Sequence, residues 1–174
     1  MPYSFTKVLQ SNTFQFQDVV TTSAGRTLSV GSYVSGGFNI PCVYDVDTQT
    51  LIGSNVGNQV VVGGSNYSTF GYVCASPFNS NILYMTGSRD DGVNQLTWIS
   101  SFDLGTNSFT DSPTGGPNVT YSGIIADYNN AGRIFVAVTV AAPGVTGTIL
   151  VFYVNSVTLI YTGAATNMSI TNGI

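Results

Sequence analysis

Histidine and glutamate are absent from this 174-residue chain, and lysine occurs once, as Lys7. Without histidine there is no Ser-His-Asp or Cys-His relay and no imidazole ligand for a metal. The cations are Lys7, Arg26, Arg89 and Arg133, too few and too scattered to neutralise a run of phosphates, which argues against nucleic acid as a partner. Charged residues make up 7% of the chain, against about 25% in an ordinary soluble domain. Long hydrophobic runs are also missing. The richest stretch, Ile134 to Val145, is interrupted by Thr139, Pro143 and Gly144 and falls short of the ~20 residues of a membrane-spanning helix. Met1-Pro2-Tyr3-Ser4 does not begin an apolar signal core, so the expectation is either a removed signal or export by another route, such as inside a virus particle.

What is present points to a folded all-β protein. The chain is 43% hydrophobic and 12% aromatic, enough apolar surface to offset chain entropy. Valine outnumbers leucine more than twofold, and Val, Thr, Tyr and Phe suit a pleated surface. Ser, Thr and Asn supply about a third of the residues and Gly 20 more, giving turns and a neutral polar surface. Such a surface keeps its charge from acid to neutral pH, which suits an extracellular or virion-surface setting.

Three segments align along the chain. Val19–Val30, Tyr72–Met85 and Gly123–Val136 each read as an apolar strand, a polar turn and a second apolar strand. A second triplet follows: Tyr44-Asp45-Val46-Asp47-Thr48-Gln49-Thr50-Leu51, Phe102-Asp103-Leu104-Gly105-Thr106-Asn107-Ser108-Phe109 and Phe152-Tyr153-Val154-Asn155-Ser156-Val157-Thr158-Leu159. In each, a strand ends in a four-residue turn and a second strand returns. Leu28 to Leu83 is 55 positions and Leu83 to Ile134 is 51. The spacing predicts one all-β domain over residues 1–174, with repeat units of roughly 14–60, 61–114 and 115–163. Strands are expected near 14–20, 27–34, 40–46 and 50–53; near 69–75, 81–88, 95–103 and 108–111; and near 120–126, 133–140, 147–154 and 158–162. Ser4 to Leu9 reads as a spare strand before the first unit.

Four strands in about 50 residues, with an aromatic-Asp, turn, Thr pattern, resembles the generic β-propeller blade of the kelch, quinoprotein-like and related families. The resemblance covers roughly Phe14 to Thr162. The kelch Gly-Gly with its spaced Tyr and Trp, the Trp-Asp dipeptide and the sialidase Asp box are all missing. The resemblance therefore implies a propeller-like array of three four-stranded units and no particular activity. A two-sheet sandwich or jelly roll is the alternative for this length.

Candidate sites are sparse. Asp90, Asp91 and Asn94, beside Gly92, offer oxygen ligands for Ca²⁺, or simply form a solvated hairpin turn. Asp45 and Asp47 share a strand face and are either an acid or cation pair or turn caps. Asp127, after Ile124-Ile125-Ala126, is a turn cap or a partly buried acid with a raised pKa. Arg26 and Arg133 occupy similar unit positions, as a carboxylate clamp would require. Tyr67, Tyr121 and Tyr128 lie among Ser, Asn or Gly and are the candidate sugar contacts, whereas Trp98, between Leu96 and Ile99, reads as core. Cys42 and Cys74 sit among apolar residues, as buried thiols or as a disulfide. Asn66, Asn118 and Asn167 open Asn-x-Ser/Thr acceptors. No motif calls for a cofactor. The reading is a non-enzymatic structural subunit of an extracellular or virion-surface assembly, self-associating or co-assembling with other structural proteins. A glycan-binding or adhesion module is the alternative, and a glycosidase resting on Asp pairs alone is the weaker one.

Overall fold

The computed structural model describes residues 13–112, 119–131, 133–140, 148–154, 159–161 and 166–167. The expected strand at Ser4 to Leu9 lies outside the described residues. Those described contain strands and a single 3₁₀ turn, Val56–Asn58. The first sheet is built from β1 (Phe14–Thr21), β2 (Thr27–Ser35), β3 (Phe38–Asp45) and β4 (Thr50–Ser54), joined in that order as an antiparallel meander. A two-residue strand, β5 (Val60–Val61), returns to pair with the start of β3. The second sheet repeats the meander with β6 (Tyr67–Ala75), β7 (Ile82–Asp90), β8 (Gln95–Asp103) and β9 (Ser108–Asp111). The third has β10 (Val119–Ala126), β11 (Arg133–Val140), β12 (Thr148–Val154) and β13 (Leu159–Tyr161). A further short strand, β14 (Thr166–Asn167), pairs with the start of β12 as β5 does with β3. The twelve expected strands lie within a few residues of the observed ones; β5 and β14 fall outside that expectation. The described residues form three antiparallel sheets, where a sandwich would have two.

The turns repeat because the same chemistry recurs. Asp45 ends β3, and its Oδ1 accepts the amides of Asp47 and Thr48 at 2.9 and 3.0 Å. Asp103 ends β8, and its Oδ1 accepts the Gly105 amide at 2.7 Å. The last residue of each turn, Gln49 or Asn107, is left-handed, with φ of 57° and 53°. Between β2 and β3, Gly36 and Gly37 both have positive φ, as a tight hairpin requires.

Each sheet's first strand carries an irregularity in register: between Phe16 and Asp18, between Phe70 and Val73, and between Tyr121 and Gly123. An aromatic residue precedes it every time. Bulges leave amides without ladder partners, and these must be satisfied elsewhere. In β6 the Tyr72 amide donates to Thr86 Oγ1 at 3.0 Å, and the Val73 amide donates to Asp18 Oδ2 of the first sheet at 3.0 Å. The bulge thus joins one sheet to the next.

The sheets stack in chain order. β6 packs against β1, β2 and β3, and β10 packs against β6, β7 and β8. Strand alternation sends Leu83, Met85, Trp98 and Phe102 toward the first sheet, where they meet Leu28, Val30 and Val43. From the opposite face of the second sheet, Tyr84 and Ile99 meet Ala126, Ile134, Val136 and Val138 of the third. Trp98 is fully buried and lies over Gly87, its cross-strand partner, as expected of a core residue. The middle sheet is therefore covered on both faces. Each fully buried large side chain contributes about 1.5–3 kcal/mol of burial free energy.

Polar side chains also bridge the first and second sheets. Asp111, at the end of β9, accepts from Asn55 Nδ2 at 3.1 Å, Asn58 Nδ2 at 2.9 Å and Ser100 Oγ at 2.6 Å. Asn55, Asn58 and Ser100 are all buried.

Candidate functional site

The second and third sheets enclose a polar cleft of about 190 Å³. Tyr67 at the start of β6 and Tyr121 on β10 both line it, although 54 positions separate them in sequence. They converge because each belongs to the first strand of its sheet and those strands pack together. Register completes the lining. Tyr67 is aligned through Asp90 with Gln95, and Thr69 through Ser88 with Thr97, so Ser88, Gln95 and Thr97 project from the same face as Tyr67. Thr86, two residues before Ser88, adds a second hydroxyl from β7.

Tyr67 is half exposed, whereas Thr86 and Thr97 are buried. Burial pushes the Tyr121 phenol pKa up, and the Thr97 hydroxyl partly offsets that rise. The two groups are therefore close, yet Thr97 Oγ1 makes no hydrogen bond of ordinary geometry. Gly71 sits against the cleft at the β6 bulge, where a Cβ would stand 3.3 Å from Thr86 Oγ1. Sequence reasoning found the two tyrosines but missed Thr86, Gln95 and Thr97. Their signal was alternation on β7 and β8, which places them on one face once the partner sheet is known.

Tyr128, the third candidate sugar contact, is exposed in the turn after β10 and does not line this cleft. Its surroundings give it no shared geometry with Tyr67 and Tyr121. Asp90, Asp91 and Asn94 form the β7–β8 turn. Asp90 accepts the Gly92 amide at 2.8 Å and Gln95 Nε2 at 2.9 Å. Asp91 Oδ1 accepts the amides of Val93 and Asn94 at 2.9 and 2.7 Å. These backbone bonds hold the Asp91 carboxyl below its ordinary pKa range. Among the described residues no three His, Cys, Asp or Glu side chains converge as metal ligands would.

The other carboxylates are likewise engaged. Burial works against ionisation of Asp45, but the Thr48 amide, the Arg26 guanidinium and the Asp47 amide outweigh it and hold the carboxyl below its ordinary range. Arg26 Nε donates to Asp45 Oδ2 at 2.6 Å. Asp47 accepts the Thr27 amide at 2.7 Å rather than pairing with Asp45. Asp127 accepts the Asn129 amide at 2.8 Å and an ion pair from Arg133. Its carboxyl is lowered by the Asn129 amide first and then, against burial, by Arg133, which fits the turn-cap reading and not the raised-pKa alternative. Arg26 and Arg133 each bind an aspartate of their own sheet, so they do not converge into a clamp. Cys42 and Cys74 are free thiols, and burial pushes both up to about 12.

A second, wider cleft of about 580 Å³ lies toward the other end of the second sheet, beside the exposed Phe78 and lined by Tyr84 and Asp103. Compared with known proteins, the chain matches no family model and no curated sequence.

Proposed function

We propose that the protein is a non-enzymatic structural subunit that stacks its end sheets against those of further copies, extending a propeller-like array of four-stranded units. One observation carries this reading: among the described residues, the outer face of the first sheet is as apolar as the faces buried inside the chain, and that of the third sheet carries Ile125 and Phe135. On the first sheet, the rings of Phe14, Phe16, Tyr33 and Tyr44 pack together, with centroids 5.0 Å apart for Phe14 and Tyr44. Register places them on the face turned away from the second sheet. Val19 and Leu51 extend that face at 58% and 38% exposure. On the third sheet, Ile125 is 54% exposed, and its cross-strand partner Phe135 carries the Arg133 guanidinium 5.3 Å from its ring.

Inside the chain, the same kind of face receives the first strand of the next sheet. Among the described residues no further sheet packs on either outer face, and a second copy would supply that neighbour at each end. Head-to-tail contact of this kind closes into a ring when the rotation per sheet fits. Two copies bring six sheets, within the roughly four to eight that close a propeller. A net charge of −4 gives little repulsion between copies. The aspartates engaged by the protein's own donors, and the absence of histidine and glutamate, support a non-enzymatic role. The neutral hydroxyl and amide surface supports an extracellular or virion-surface location.

Light scattering at low micromolar concentration, repeated across pH, tests the proposal. The expected result is a discrete oligomer that Ile125→Arg dissociates. Val93→Arg, in the exposed β7–β8 turn, leaves it intact. A monodisperse monomer at every pH overturns the reading.

A further inference from the structure

We propose that the cleft between the second and third sheets binds one neutral sugar ring of a glycan. This does not depend on the assembly reading. The lining is rich in hydroxyls: Tyr67, Thr86, Ser88, Thr97 and Tyr121, with the Gln95 amide beside them. Such groups donate and accept without charge, as the hydroxyls of a hexose require. Two tyrosine rings from facing sheets supply flat apolar surface for the C–H face of a pyranose.

Thr97 gives the cleft an unmet demand. Its hydroxyl is buried and lacks a well-formed hydrogen bond. Buried hydroxyls are normally paired, and one left unmet costs about 1–3 kcal/mol. A hydroxyl of the ligand, entering beside Tyr121, completes it. Thr86 Oγ1 is already engaged by the Tyr72 amide, so it offers its own hydroxyl proton to the ligand.

Charge selects among ligands. Arg89 borders the cleft, and it also borders a second hollow with Asp91 on the side of the first sheet. Its charge is opposed by the Asp91 carboxylate. Asp90, whose carboxylate binds Gln95, adds a second negative charge at the rim. An acidic sugar or a phosphate therefore gains no net attraction, and a neutral ring loses none. Size points the same way: about 190 Å³ is below the ~300–1,000 Å³ of pockets that enclose drug-sized ligands, and suits one ring rather than a chain.

The test is saturation-transfer NMR and calorimetry on the full chain. The probes are the methyl glycosides of glucose, galactose, mannose and N-acetylglucosamine, with galacturonic and sialic acids as charged comparisons. At least one neutral glycoside is expected to bind in preference to both acids. Tyr67→Ala and Thr97→Val should each weaken it by about tenfold or more, the loss of a ring face or of one hydrogen bond to a buried group. Thr97→Val keeps the side-chain shape and removes an unmet hydroxyl, so its unfolding midpoint should not fall. Phe78→Ala, at the wider cleft, should leave affinity unchanged. Failure of every neutral glycoside to bind overturns the proposal. So does preference for the acids, insensitivity to Tyr67→Ala and Thr97→Val, or loss of binding through Phe78→Ala.

Discussion

Gly87→Ala is a sharp test of how the first two sheets are held together. A Cβ built at Gly87 would stand 2.1, 2.3 and 2.6 Å from Cε2, Cζ2 and Cδ2 of Trp98. Carbon atoms pack at about 3.5–4.0 Å, so the indole must retreat by ~1.4 Å. It has little room to do so. Trp98 is fully buried, and the Phe70 ring lies against it at 6.0 Å between centroids. Phe70 in turn stacks on Phe109 at 5.6 Å, and Phe109 contacts Phe102 at 4.5 Å. Overpacking of a well-filled core costs about 1–3 kcal/mol and sometimes more. A rigid ring backed by other rings belongs at the upper end, so a loss of about 3 kcal/mol is expected. Urea unfolding followed by circular dichroism measures it, and the fluorescence of the single tryptophan reports the same site. Gly63→Ala is the control, because a Cβ there meets nothing within 4 Å. Its effect should stay within about 0.5 kcal/mol. Placing Gly87→Ala in a Trp98→Leu background should recover much of the loss, because residues in contact couple by about 0.5–3 kcal/mol. A Gly87→Ala variant as stable as the parent, or one whose cost is the same with and without Trp98, refutes the packing argument.

Two further outcomes are expected. Asp45 and Asp127 have folded-state pKa values below the ordinary carboxyl value of about 3.9. Their contribution is therefore complete above that value and lost as pH falls through the folded pKa, so the thermal midpoint should hold from neutral pH to about 4.5 and decline below about 4. Asp45→Asn should lower the plateau and flatten the acid decline; a parent midpoint that falls steadily from pH 7 contradicts this. Asp111→Ala removes the shared acceptor of Asn55, Asn58 and Ser100 and should cost ~2 kcal/mol in urea unfolding, whereas the exposed Thr110→Ala should cost little.

The strands were legible because their determinants are local. Alternating Val, Thr and aromatic residues mark each strand, and Asp45 and Asp103 mark the ends of β3 and β8 through bonds two or three residues away. Gly71 and Gly123 inside first strands were available signals for bulges, since glycine within a strand often marks one. The first bulge, at Gln17 and Asp18, carries no such mark. Its aspartate reaches Val73, 55 positions on, and no local pattern encodes that bond. The same limit hid the Asn55, Asn58 and Asp111 bridge, which depends on where one sheet's last loop falls against the next sheet's last strand. Tyr67 and Tyr121 were recognisable singly from their polar neighbours. Their meeting in one cleft required the stacking order, as did the separation of Tyr128 from them.

The low charge and the architecture share one cause. All eight aspartates accept hydrogen bonds from the protein's own donors. Asp45, Asp90, Asp91, Asp103 and Asp127 close turns, and Asp18 and Asp111 tie sheet to sheet. Asp47 holds the start of β2 to the turn after β3. Of the three arginines, two neutralise such an aspartate, Arg26 at Asp45 and Arg133 at Asp127. Negative charge is thus placed where a backbone amide or a buried side chain needs an acceptor, and the rest of the polar surface is left to hydroxyls and amides. Salt screens charges across exposed surfaces far more than it affects hydrogen bonds or apolar contact. The proposed stacking of further sheets on the outer faces, through Phe16, Val19, Leu51 and Ile125, would draw on the same apolar burial that already joins the three sheets, with no large field to oppose it.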